Sequence, residues 1–117
     1  MLMIDLVHKK CVPCEGGVDP LLKEEAERYL SVLEGWEMRD AKEISKEYAF
    51  RDFAEALRFV NEVGMIAETE GHHPDIFLHG WNKVRITNYT HAIGGLHLND
   101  FVLASKIDAM LKEKDFS

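Results

Sequence analysis

The residues best suited to chemistry in this chain are concentrated in one stretch. Five of its six histidines lie between positions 72 and 97, namely His72, His73, His79, His91 and His97. Histidine is the side chain that most readily gives and takes protons near neutral pH. A positioned acid or base typically accelerates a reaction by about 10²–10⁴-fold. Two imidazoles on opposite sides of one substrate could therefore drive an elimination, one removing a proton while the other protonates a leaving hydroxyl group.

Spacing along the chain indicates which histidines can act together. His72 and His73 lie between the end of a predicted helix and the start of a predicted strand, and His91 follows the end of the next strand. In a hairpin, the start of the first strand lies beside the end of the second. We therefore predict that His72, His73 and His91 meet at one end of a sheet, where loops commonly carry functional residues. Glu68 lies a few residues upstream of the pair.

Other roles are open to the same residues. Zinc binding is the main competitor, but His72 and His73 are adjacent, unlike the i, i+4 pair of the H-E-x-x-H motif. Adjacent residues of an extended loop point in different directions, so we favour catalysis and predict no metal site. His79 lies within a strand and is predicted to be structural. His97 is predicted to cap the last helix or lie on the surface.

The elements that position these residues follow from periodicity and capping signals. Asp19 and Pro20 are typical of the start of a helix. Gly71 and Pro74 are typical of the end of a helix. The predicted elements are a helix from Asp19 towards Gly35, strands near Trp36–Met38 and Ile44–Phe50, a helix from Asp52 to Gly71, strands at 76–81 and 84–89, and a helix from Leu98. The order is α-β-β-α-β-β-α. Short links favour antiparallel pairing, which predicts an α+β fold with three helices on one face of a four-stranded antiparallel sheet.

Composition restricts the class of protein. The chain has 117 residues, enough for one domain; we assign residues 1–18 to an N-terminal arm and residues 19–117 to a single domain. Its 21 acidic and 14 basic residues give a net charge of −7, which argues against direct binding of nucleic acid. No apolar run is long enough for a membrane span, and the first residues lack a signal-peptide pattern. We expect a cytoplasmic protein with no membrane partner.

The arm contains both cysteines, Cys11 and Cys14, spaced as C-x-x-C. Redox motifs of this type normally open the helix of a βαβ unit, which the surrounding sequence does not predict. Zinc would need two further ligands, and His8 is the only candidate nearby. We therefore interpret them as two thiols of an arm, and their small number fits a reducing compartment.

Taken together, these residues resemble the pterin-4a-carbinolamine dehydratase family from about residue 20 to 112. The most specific matching segment is Glu68-x-x-x-His72-His73-Pro74, followed by Thr90-His91. Further matches are Gly35-Trp36, Tyr48–Phe53, Trp81–Val84, Ile86-Thr87, Gly95-Leu96 and Asp100, together with the arm segment 9–17.

The resemblance implies an α+β domain assembled as a homodimer or homotetramer. It implies dehydration of 4a-hydroxytetrahydropterin, a small-molecule pterin substrate, to quinonoid dihydropterin, in support of tetrahydrobiopterin recycling, without a metal or another cofactor. The implied catalytic residues are His72, His73 and His91, with His72 and His91 as the acid–base pair and His73 orienting the ring. The implied substrate-binding residues are Glu68, Pro74, Trp36, Tyr89 and Thr90. Trp36 has a competing interpretation as a core residue, because it follows Gly35 at the end of a helix.

Two other functions remain open. Relatives without a partner hydroxylase have been linked to molybdopterin metabolism, so a pterin of that metabolism is one alternative. The other is a dimerisation or interaction module without catalysis. Animal members serve as dimerisation partners of a homeodomain transcription factor, but the arm resembles that of prokaryotic members, which argues against that role here. The chain departs from many members at Gly71, His97 and Asn99. These differences bear on substrate affinity more than on the type of reaction.

Overall fold

The structure, a computed structural model, describes residues 5–12 and 18–114. Its elements run in the predicted order and confirm the α+β fold. They are α1 (Lys23–Leu30), β1 (Glu37–Arg39), β2 (Glu43–Ala49), α2 (Phe53–Glu70), β3 (Asp75–His79), β4 (Lys83–Asn88) and α3 (Leu98–Glu113). A short 3-10 helix, His91–Ile93, lies between β4 and α3.

The four strands form one antiparallel sheet in the order β1-β2-β4-β3. Asp75 at the start of β3 pairs with Thr87 near the end of β4, so the hairpin has the predicted geometry. Its turn places Gly80 and Trp81 at φ 56° and 60°, and the β1–β2 turn places Asp40 and Ala41 at 52° and 54°. Two consecutive residues at positive φ are typical of the tight turns whose twist matches antiparallel strands.

The core lies between the helices and one face of the sheet. Alternate residues of β2 and β4, such as Ile44 and Ile86, are fully buried against α2 and α3, which contribute Phe59 and Phe101. Alternation of this kind is expected when only one face of a sheet is covered. The opposite face stays open, and Phe77 on it is 60% exposed.

The second helix has the predicted ends. Asp52 is its N-cap and accepts a hydrogen bond from the Glu55 amide at 2.8 Å, and Gly71 ends it in the left-handed conformation at φ 67°. This matters for the site, because Gly71 turns the chain directly into His72. Glycine adopts that conformation without the steric penalty of a Cβ atom.

The start of the first helix differs from the prediction. Its N-cap is Leu22 rather than Asp19, and the Glu25 carboxylate accepts a hydrogen bond from the Leu22 amide at 3.1 Å. The cause is a long-range contact, since the Leu21 amide donates to the Leu96 carbonyl oxygen at 2.9 Å. This bond holds the segment before Leu22 in an extended path that local capping preferences do not reveal.

The described part of the arm lies against the domain. Leu6 is only 3% exposed and belongs to the core cluster, and the Lys106 ammonium donates to the Val7 carbonyl oxygen at 2.9 Å. Cys14 lies outside the described residues, whereas Cys11 is a partly buried free thiol. Within residues 5–12 and 18–114, no helix combines the length and the apolar character needed to span a membrane.

Candidate active site

His72 is the most firmly held of the candidate side chains. Its side chain is 11% exposed, and Nε2 lies 2.6 Å from Oδ1 of Asp100, which is fully buried in the first turn of α3. An ionised carboxylate only accepts hydrogen bonds, so in its neutral form the ring donates at Nε2 and carries its lone pair at Nδ1. Nδ1 has no hydrogen-bond partner among the described residues. His72 can therefore accept a proton at that atom.

Asp100 also connects the two loops of the site. Its Oδ2 accepts hydrogen bonds from the Thr90 hydroxyl at 2.8 Å and from the His97 amide at 3.0 Å. Buried carboxylates are stable only when their lone pairs are used in this way, and the N-terminal end of a helix favours their charge. One carboxylate thus fixes His72 after α2 and Thr90 after β4.

The loop after β4 carries His91. Thr90 and Gly95 close its base with paired backbone hydrogen bonds of 3.0 and 3.4 Å. The His91 ring is exposed and lies 4.2 Å from the Tyr89 ring, centroid to centroid. Desolvation and the neighbouring Asp75 carboxylate, to which the hydroxyl group is hydrogen-bonded, raise the pKa of the Tyr89 hydroxyl.

His73 and Glu68 form a separate, exposed pair. Nε2 of His73 contacts the carboxylate of Glu68, and their side chains are 61% and 78% exposed. Pro74 follows directly, half-buried, and leads into β3. An ion pair in so much water contributes little stability, so its value lies in orienting the His73 ring.

These residues surround one cleft of about 250 Å³. Its lining includes His72, His73, Tyr89, Thr90 and His91, and Val12 of the arm forms part of the edge. Larger hollows, of about 400 Å³ between α2 and α3 and about 640 Å³ beside α2, are lined mainly by aliphatic, Glu and Lys side chains. We assign the site to the smaller cleft, because the proton-transfer groups converge there.

Three predicted site residues, Glu68, Pro74 and Trp36, lie outside this lining. Glu68 reaches the cleft only through His73. Trp36 is 6% exposed, and its indole donates to Oδ2 of Asp108 on α3 at 2.9 Å while packing edge-on to Tyr48. The structure therefore does not bring Trp36 to the three histidines.

The remaining histidines have other partners. His79 lies at the far end of β3, stacked on Phe77, with Nε2 2.6 Å from Oε1 of Glu47. His97 is the N-cap of α3, and its Nδ1 accepts a hydrogen bond from the Asn99 amide at 3.0 Å, which confirms the capping prediction. Across the described ranges, no three His, Cys, Asp or Glu side chains are grouped so as to hold a metal ion.

Asp100 is the residue that sequence reasoning missed as part of the site. An acidic residue in the first turn of a helix is typical of capping, and Asp100 does belong to a capping box with His97. The available signal was its place among the segments that match the dehydratase pattern, but no local feature indicated a contact with His72.

Comparison with known proteins identifies the family. A sequence model described as pterin 4 alpha carbinolamine dehydratase matches residues 19–110, which is more than half of the chain. The chain belongs to this family. A protein of Rubrobacter xylanophilus, provisionally named a pterin-4-alpha-carbinolamine dehydratase, is 50% identical over 92% of this chain and 100% of its own length. One of Alkaliphilus metalliredigens with the same provisional name is 46% identical over 95% and 100%.

A solved structure agrees with membership in the dehydratase family, and a second one shares the fold. A Brucella melitensis protein, described as a transcriptional coactivator/pterin dehydratase, superposes with a TM-score of 0.72 at 31% identity, covering 79% of this chain and 98% of that one. A pterin dehydratase-like protein described as a RuBisCO assembly factor in the alpha-carboxysome superposes with a TM-score of 0.54 at 23% identity. That second likeness concerns the fold alone.

Proposed function

We propose that the chain is a lyase that dehydrates a 4a-hydroxytetrahydropterin to the quinonoid dihydropterin in the cleft between His72 and His91. The observation that carries the proposal is the fixed imidazole of His72, held by Asp100, on the same cleft as the exposed imidazole of His91. Membership in the dehydratase family supports the reaction class.

The reaction needs two proton transfers. The C4a–O bond breaks as the hydroxyl group leaves as water, and the N5 proton is lost as the N5=C4a double bond forms. We assign removal of the N5 proton to Nδ1 of His72, because Nε2 is committed to Asp100. His91, on the other loop, protonates the leaving hydroxyl group. No oxidation occurs, so the proposed reaction needs no redox cofactor.

The cleft suits one flat, fused ring. Small-molecule sites commonly have volumes of about 300–1,000 Å³, and a cleft of about 250 Å³ fits a bicyclic ring whose substituent extends into solvent. His73, oriented by Glu68, offers a polar contact at the rim, and Tyr89 also lines the cleft. Thr90 acts through Asp100 rather than on the substrate, and Pro74 directs His73. Trp36 is not part of the site that we propose.

The physiological context of the proposal is recycling of tetrahydrobiopterin after an aromatic amino-acid hydroxylase, in the cytoplasm, by a homodimer or homotetramer. A pterin of molybdopterin metabolism is the alternative substrate. A role as an interaction module without catalysis is the alternative outside enzymology. The residues at the rim of the cleft favour neither a pterin of molybdopterin metabolism nor a module without catalysis.

The test is the rate of dehydration of 4a-hydroxytetrahydropterin by the purified protein, compared with the spontaneous rate. We expect clear acceleration, and a fall of kcat by about 10²-fold or more in His72→Ala and in His91→Ala. His79→Ala is the matched control, because this histidine also contacts a carboxylate but lies at the opposite end of the sheet.

A wild-type rate no higher than the spontaneous rate would refute the dehydratase proposal and favour the interaction module. An equal loss in His79→Ala and His72→Ala would refute the assignment of the site. Repeating the assay with pterins that differ in the substituent at C6 identifies the preferred substrate.

A further inference from the structure

The arm reaches the site through two anchor points. The Cys11 amide donates to Oε1 of Glu70 at 2.9 Å. The side-chain amide of Asn99 binds the backbone of Val12 twice, since Nδ2 donates to the Val12 oxygen at 2.6 Å and Oδ1 accepts from the Val12 amide at 2.9 Å. Asn99 is 2% exposed and Val12 is 55% exposed, so this paired contact is partly buried.

Both anchors adjoin the residues that position His72. Glu70 is the last residue of α2, just before Gly71 and His72. Asn99 immediately precedes Asp100, whose carboxylate contacts the His72 ring. The arm is therefore fixed to the same two segments that hold the proposed base, and its position relative to the imidazole is set by short, partly buried hydrogen bonds.

Val12 ends this described stretch of arm at the edge of the cleft. It lines the cleft with His72, Tyr89 and His91, yet its side chain is 55% exposed. Core packing accounts for Leu6 in the same arm, which is 3% exposed, but not for Val12. An apolar side chain whose backbone is held by two partly buried hydrogen bonds, and which is left open on the cleft side, is suited to contact the face of a flat ligand.

We propose that Val12 is a substrate-contacting wall of the cleft and that Asn99 is the positioning residue that holds it there. This inference rests on the proposed function and adds to it a specificity-determining role for the arm. Valine carries no acid or base, so the wall contributes to binding of the pterin ring in the ground state and transition state alike. Removing it should raise KM and leave kcat nearly unchanged.

The first experiment compares two valines of similar exposure. Val12→Ala removes two methyl groups from the cleft, whereas Val18→Ala makes the same change at a residue that is 52% exposed and does not line the cleft. We expect KM for 4a-hydroxytetrahydropterin to rise about fivefold in Val12→Ala, with kcat within twofold and an unchanged melting temperature. Val18→Ala should match the wild type, and Val12→Leu, which keeps an apolar wall, should restore KM.

The second experiment tests Asn99 as the positioning residue. Asn99→Ala removes both bonds to Val12, and we expect KM to rise together with some loss of thermal stability. The double variant combines Val12→Ala with Asn99→Ala. If Asn99 acts through Val12, the KM of this double variant should be nearly that of Asn99→Ala alone, because Val12 is already displaced from the cleft in Asn99→Ala. A purely structural role would instead make the two effects on KM multiply, and that result would overturn the assignment to Asn99.

Binding without turnover separates this inference from the proposed function. The Kd of 7,8-dihydropterin, measured by fluorescence, should rise about fivefold in Val12→Ala and stay constant in Val18→Ala. If the wild type accelerates dehydration while Val12→Ala keeps its KM and Kd within twofold of the wild type, the wall is refuted and the dehydratase stands. If the wild type shows no acceleration, the proposed function fails and the substrate-contacting role of Val12 fails with it.

Discussion

Replacing Asp100 by Asn tests the proposed arrangement of protons most directly. Oδ2 of Asp100 accepts from the His97 amide, which can only donate, so the remaining oxygen of the variant must stay at that position. The new NH₂ group then faces Nε2 of His72 in place of Oδ1. Nε2 must become an acceptor, which moves the ring proton to Nδ1 and removes the lone pair that the mechanism uses.

These contacts set the expected loss of kcat and the expected loss of stability in Asp100→Asn. Loss of a positioned base lowers kcat by about 10²–10⁴-fold. The hydrogen bond to a charged group is worth about 1.5–3 kcal/mol, and the amide retains part of it. We therefore expect the free energy of unfolding to fall by about 1–2 kcal/mol, a loss of roughly 5–10 °C in melting temperature.

The assay combines single-turnover dehydration with ¹⁵N NMR of the His72 ring. The wild type should show the proton at Nε2 and the Asp100→Asn variant at Nδ1. Asp108→Asn is the control, because Asp108 is a partly buried carboxylate on the same helix with contacts only outside the cleft. A wild-type ring protonated at Nδ1, or an Asp100→Asn enzyme with kcat within threefold of the wild type, would refute this account of His72.

Two further predictions concern stability. Asp108→Ala removes the carboxylate that accepts hydrogen bonds from the buried Tyr48 hydroxyl at 2.7 Å and the Trp36 indole at 2.9 Å. Unfolding in urea should show that the free energy of unfolding falls by about 3 kcal/mol. The KM for the pterin should not change if Trp36 lies outside the site. The second concerns Cys11, whose pKa is raised to about 12 by burial and by the charge of Glu70. The unfolded thiol ionises near pH 9, so stability from this group is complete below pH 9 and is lost as pH rises towards 12, by at most about 1.4 kcal/mol per pH unit. Urea unfolding at pH 7.5, 9 and 10 should therefore show a shallower alkaline decline in Cys11→Ala than in the wild type, and equal slopes would contradict the raised pKa.

Local signals in the sequence were sufficient for most of the fold. Asp52 and Gly71 mark the ends of α2 because a cap and a left-handed glycine act within a few residues. The β3–β4 register followed from one hairpin, which also explains why His72 and His91 could be predicted to lie near each other. These features depend on neighbours along the chain.

Features that depend on distant parts of the chain were not predictable in this way. The late start of α1 results from the bond between Leu21 and Leu96. The helical period places Phe53 and Leu57 on one stripe with Val63, yet they are 48% and 40% exposed whereas Val63 is fully buried. The contact of Asp100 with His72 likewise joins residues from two elements that only the folded chain brings together.

The close approach of Pro20 to Gly95 gives the loop of His91 a fixed base. A Cβ atom added at Gly95 would lie 2.9 Å from Cβ of Pro20, closer than two carbon atoms can pack. Pro20, in the segment leading into α1, thus packs against the base of the loop, where Gly95 is paired with Thr90. Gly95→Ala would push Pro20 away from the base of the loop. This substitution lies outside the cleft, yet it would displace the loop that carries the His91 imidazole.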